Sequence, residues 1–109
     1  MNQMPPDDEP IPEMIEVIRK QHGCEATWIE SVHVHEDDRK GGTAWEGDVQ
    51  VFDAKGHPRA KRVYGWSFVN DDSRKRLFTV VLGDGPVTSA LMAVRVYLVG
   101  LTKGIGKAQ

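Results

Sequence analysis

The chain has a single cysteine, Cys24, so it cannot close an internal disulfide, which fits a reducing cytoplasm. It also lacks an excess of positive charge. Lys and Arg number 14 against 16 Asp and Glu, for a formal net charge of −2. Proteins that wrap nucleic acid through bulk charge are strongly basic, so that class is excluded, and only local basic patches stay open. No apolar run reaches membrane-spanning length: residues 87–101 come nearest, and Arg95 interrupts them. Residues 1–12 carry Asp7, Asp8 and Glu9 and no apolar segment, so they do not read as a signal peptide. Gly-x-Ser-x-Gly, P-loop, Gly-x-Gly-x-x-Gly and His-Glu-x-x-His motifs are all missing, as is any cysteine pair. The sequence therefore points to no catalytic set, no cofactor and no closed metal site.

What remains describes a fold. A chain of 109 residues holds one domain with a modest core. Residues 1–9 are acidic and proline-bearing and read as disordered; residues 10–102 form a single domain; residues 103–109 read as a flexible tail. A helix starts near Pro10 or Pro12, with Ile11, Met14, Ile15, Ile18 and His22 on one face and Gly23 placed to end it. Residues 26–35 read as a strand, with Trp28, Val32 and Val34 on its inner face and Ile29, Ser31, His33 and His35 on the other.

The clearest pattern follows. Residues 43–53 and 60–69 alternate with period 2 around a turn containing Gly56, His57 and Pro58, as a hairpin does. Centring the loop on residues 55–58 sets Trp45 opposite Phe68, Gly47 opposite Trp66 and Val49 opposite Tyr64. Gly47 then leaves room for an indole. Residues 77–82 form a fourth strand with Leu77, Thr79 and Val81 inward. A last helix spans residues 87–101, with Val87, Ala90, Leu91, Val94, Tyr97, Leu98 and Leu101 as its core stripe. Short turns make neighbouring strands antiparallel. The expectation is an α+β two-layer sandwich, helix, four-stranded antiparallel meander, helix, with both helices on one face.

Few residues suggest chemistry. His33 and His35 share a strand face and run into Glu36, Asp37 and Asp38, a donor set that a metal or a small enzyme would use. His57 sits in a turn between rigid strands, where a general base is often held. Cys24 follows a helix C-terminus, where the dipole disfavours a thiolate. Lys55, Arg59, Lys61 and Arg62 form one basic loop and Arg74, Lys75 and Arg76 another, candidates for nucleic-acid contact at opposite ends of one strand. Met92, Val96 and Val99 form a second apolar stripe on the last helix, and Phe78, Val80 and Leu82 point outward from the fourth strand. These six residues are the candidate interface of a homodimer or of a protein or small-ligand partner.

The run from Thr43 to Phe52, followed by Gly56-His57-Pro58 and Ala60, resembles a family of small proteobacterial proteins of unassigned function over residues 10–102. That resemblance implies no catalytic residues. The element order is also similar to that of the double-stranded RNA-binding domain, with Pro12, Gly23 and the strand over residues 45–51 where that pattern wants them. That family's Lys-Lys-x-Ala-Lys segment would open the last helix, where this chain has Gly85-Pro86-Val87-Thr88-Ser89-Ala90. The similarity therefore implies fold and not RNA binding. The expectation for function is a small cytoplasmic, non-enzymatic, homodimeric binding module. Alternatives are a nucleic-acid-binding domain using the basic loops, or a small enzyme or metal-binding protein using His57 or His33 and His35.

Overall fold

The computed structural model describes residues 9–69, 76–85 and 87–104. The segment expected to be disordered lies outside them apart from Glu9, as do residues 105–109 of the tail and Arg74 and Lys75 of the second basic loop. The elements in chain order are α1 (Ile11–His22), β1 (Glu25–Asp37), β2 (Thr43–Lys55), β3 (Arg62–Val69), β4 (Arg76–Leu82) and α2 (Ala90–Gly104). The strands form one antiparallel sheet in the order β1-β2-β3-β4. Class, element order and meander are those the sequence indicates.

α1 forms because Ile11, Met14 and Ile18 recur at helical spacing and are all buried. Arg19, Lys20 and His22 lie in its last turn, where they complement the helix dipole. The helix ends at Gly23, whose φ of 68° is left-handed and whose N–H donates to the Arg19 carbonyl. α2 is capped by Ser89, whose Oγ accepts the Met92 N–H. Val87, Ala90, Ala93 and Val94 are buried against the sheet, and Leu91, Tyr97 and Leu98 pack beside them.

Both helices pack on the sheet, but on opposite faces, which corrects the two-layer arrangement. Neighbouring side chains on a strand point to opposite faces. Val51, Tyr64 and Val81 form one row across β2, β3 and β4 and pack with α2. The next row, Phe52, Val63 and Leu82, packs with Ile11, Met14 and Ile18 of α1. Gly65 confirms the side: a Cβ there would lie 3.7 Å from both the Met14 Sδ and the Phe52 ring. The reason is compositional. Val51-Phe52, Val63-Tyr64 and Val80-Val81-Leu82 put apolar groups on both faces, and such strands need two covering layers. Phe78, Val80 and Leu82 are consequently half-buried under α1 and are not an outward-facing interface.

β1 carries a second correction. A bulge between Trp28 and Glu30 adds Ile29 to the strand and shifts its phase. Trp28 therefore faces α1, opposite Phe52, while Ile29, Val32 and Val34 face α2. Two consecutive large apolar side chains thus reach two different covered faces. The Trp28 Nε1 donates to the Gln50 Oε1 at 2.9 Å, and the Gln50 Nε2 donates to the Ser31 Oγ at 3.1 Å. These bonds satisfy a fully buried amide that would otherwise destabilise the core.

Candidate functional site: a cleft between two strands

β2 and β3 do not stay paired along their length. Their ladder runs from Asp53 with Arg62 to Gln50 with Gly65 and stops, although β2 extends back to Thr43 and β3 on to Val69. β1 remains paired with β2 as far as Thr43, and β4 with β3 as far as Val69. The sheet therefore forks into two hairpins. Ala54 donates to the Lys61 carbonyl, and antiparallel alternation then turns the backbone groups of Asp48 and Ser67 into the fork. The expected register is corrected by two residues: Tyr64 lies opposite Val51, not Val49. A shift of two leaves every side chain on its expected face.

The fork encloses a cavity of about 320 Å³. Trp45, Glu46, Gly47 and Asp48 line it from β2, and Trp66, Ser67 and Phe68 from β3. Tyr97 of α2 borders one mouth and Glu9, just ahead of α1, the other. On the α2 side three rings meet edge to face. Trp45 and Trp66 have centroids 5.3 Å apart at 63°, and Trp66 and Tyr97 are 5.3 Å apart at 84°. Gly47 does make room for an indole, but that of Trp45 on its own strand: a Cβ would lie 3.1 Å from the ring. The rings thus bridge the two hairpins where the backbone ladder has ended. Trp66 is 3% exposed, and its Nε1 is buried without a hydrogen-bond partner among the described residues.

The other mouth is polar. His33 Nδ1 lies 2.8 Å from an Asp48 carboxylate oxygen and its Nε2 2.8 Å from Glu46. His35 Nε2 is 2.6 Å from Asp37, and its Nδ1 is 3.3 Å from Glu46. An imidazole with carboxylates at both nitrogens donates from both, so it is favoured as imidazolium. The side-chain hydrogen bonds to Asp48 and then Glu46 raise the His33 pKa, and those to Asp37 and then Glu46 raise that of His35. The same bonds lower the Glu46 pKa. Ser67 donates to a Glu9 carboxylate oxygen at 3.3 Å and accepts from Arg76 at 2.8 Å.

Elsewhere the structure disperses the candidates. His57 shapes its own turn, its Nδ1 accepting the Arg59 and Ala60 N–H groups at 3.1 and 2.9 Å, which leaves that nitrogen no role as a base. Cys24 is buried in the α1 core. Among the described residues no three His, Cys, Asp or Glu side chains are arranged to hold a metal ion. Lys55, Arg59, Lys61 and Arg62 sit at the closed end of β3 and Arg76 at the open end. Arg62 pairs with Asp53 and Arg59 with Asp84, so these charges do not form one basic surface. On α2, Met92 is half-buried while Val96 and Val99 are 41% and 52% exposed. A second groove of about 380 Å³ lies beside the N-terminus of α2, between Glu30, Arg62 and Tyr64 and residues 88–91. Burial there, foremost, raises the Tyr64 pKa.

Period-2 alternation in the sequence separates Trp45 and Trp66 from Glu46 and Asp48 onto the two faces of the hairpin, and the structure keeps that division. That both sets border one cleft does not follow from alternation: the Trp-Glu-Gly-Asp run puts rings and carboxylates on two faces of one strand, and only the end of the β2–β3 ladder joins them. No helix among the described residues is long and apolar enough to cross a membrane. No family model matches the chain, and no curated protein or solved structure does so either.

Proposed function

We propose that the protein is a small non-enzymatic binding module whose ligand site is the cleft between β2 and β3. The observation that carries this reading is the early end of the β2–β3 ladder, which leaves an aromatic-walled cavity through the sheet. Its volume lies at the lower end of the range that small-molecule sites occupy. A catalytic role draws less support, because His57 serves its turn and both nitrogens of His33 and of His35 are occupied by carboxylates. Nucleic-acid binding draws less support because Lys55, Arg59, Lys61 and Arg62 lie at one end of β3 and Arg76 at the other, and Arg59 and Arg62 are paired with Asp84 and Asp53. The buried, unpaired Cys24 suits a reducing compartment, and the reading places the module in the cytoplasm.

A mixed panel of anionic, neutral and cationic fragments, read by amide and indole N–H shifts, tests the reading. Hits should move Trp45, Gly47, Trp66 and Phe68 together. Hits confined to other surfaces, or none across the panel, would remove the cleft as the site. A second copy of the chain is the proposed partner of the exposed Val96 and Val99 on α2. Sedimentation should show a concentration-dependent dimer that Val96→Glu abolishes, and a strict monomer would end that part of the reading.

A further inference from the structure

We infer, on the reading that the β2–β3 cleft is the binding site, that its ligand is a small organic cation carrying an alkylated ammonium group. The lining has a one-sided charge: Glu9, Glu46 and Asp48 are acidic, and none of its described residues is Lys, Arg or His. Among the described residues the cationic side chains close by are His33, bound to Glu46 and Asp48, His35, bound to Asp37 and Glu46, and Arg76 on the Ser67 hydroxyl. Counting Asp37, four carboxylates face these three groups among the described residues, so the described part of the rim keeps one negative charge in excess even with both histidines protonated. An anion would be repelled. A neutral apolar ligand would strip water from the carboxylates and give nothing in return.

The ring geometry narrows the class further. A planar ligand such as a nucleobase fits a parallel slot between stacked rings. Here Trp45, Trp66 and Tyr97 meet at 63° and 84°, which makes a corner. A rounded ammonium head fits a corner, with its methyl groups and charge against the half-buried Trp45 and Tyr97 rings while the buried Trp66 joins them from behind. The arrangement sets the aromatic wall on the α2 side and the carboxylates on the α1 side of the same opening. A cation with an apolar skirt meets both at once.

Choline and its neutral isostere 3,3-dimethylbutan-1-ol, with acetate as the anion, make the test on the full chain. Titrations follow indole fluorescence and the indole N–H shifts of Trp45 and Trp66. Choline should move both resonances, the isostere should bind at least about tenfold more weakly, and acetate should leave them unmoved. The double variant Glu46→Gln/Asp48→Asn, at two exposed side chains, should weaken choline roughly tenfold and leave the folded spectrum intact. If the isostere or acetate binds the cleft as tightly as choline, the cation is wrong and the cleft stands. Choline that leaves the cleft resonances unmoved also overturns the inference, and the fragment panel then decides the cleft separately.

Discussion

The two halves of the β2–β3 pair are built from the same strands and have opposite designs. At the closed end, residues 50–53 pair with residues 62–65, and both faces are covered: Val51 and Tyr64 by α2, Phe52 and Val63 by α1. At the open end, α2 still covers Trp66, but the opposite face holds Glu46, Asp48, Ser67 and the two histidines. α1 does not reach over these polar groups, and the ladder is absent where they begin. Double coverage and a continuous ladder go together here, and single coverage goes with the cleft. Stability is thus concentrated at one end of the pair and the proposed binding at the other.

The sharpest way to break this comparison is to remove a side chain from each half. Phe52 is fully buried at the closed end, and Phe52→Ala should reduce stability by about 3–5 kcal/mol, the usual range for a buried Phe. That is a large share of the 5–15 kcal/mol or so that holds a typical domain together. Ser67→Ala at the open end, which removes the hydrogen bonds to Glu9 and Arg76, should cost only about 1 kcal/mol. Urea denaturation of both variants checks this. Losses of similar size would mean that the two ends share the load.

A smaller effect is expected from filling Gly47. A Cβ there would press the Trp45 indole from 3.1 Å, and β-branched Val would push it off Trp66. Gly47→Val should reduce stability by about 1–3 kcal/mol and alter the near-ultraviolet dichroism of the tryptophans. An unchanged aromatic spectrum would show that the ring bridge does not depend on the missing side chain.

Much of the closed end was legible in the sequence, because period-2 alternation and helical stripes report burial directly. Ile11, Met14 and Ile18 of α1, and Ala90 and Val94 of α2, came from spacing alone. The opposite-face placement of the helices is also marked, in the adjacent apolar pairs Val51-Phe52 and Val63-Tyr64, although alternation taken alone implies a single covered face. The bulge at Ile29 was not legible, since it exists only relative to the pairing of β1 with β2. The fork was not legible for the same kind of reason. Where a ladder stops depends on how two hairpins twist and what bridges them, and no local pattern at residues 45–49 or 66–69 encodes it. Hence alternation sorts the rings and carboxylates of the cleft onto two faces and does not bring them together.

The smallest expected effect separates the two ends by their histidines. Near the closed end His22 lies in the last turn of α1, and burial, reinforced by the charge of His57, lowers its pKa. At the open end, hydrogen bonds to Asp48, Asp37 and Glu46 raise those of His33 and His35. The consequences for stability have opposite signs. The contribution of His33 and His35 is fully present below the ordinary histidine value of about 6.5 and is lost as pH rises through their raised values. That of His22 is present above the ordinary value and is lost as pH falls through its lowered one. Glu46, with a lowered pKa, adds stability that is lost only in acid. Following the Cε1–H resonances across pH should therefore show His22 titrating first from the acid side and His33 and His35 last. His33→Gln should flatten the fall in stability on the alkaline side. It should also leave Glu46 and Asp48 with less positive charge beside them, so cation binding in the cleft should vary less with pH. A single common midpoint for all three histidines would erase the electrostatic difference between the two ends, whatever the unfolding experiments on Phe52 and Ser67 show.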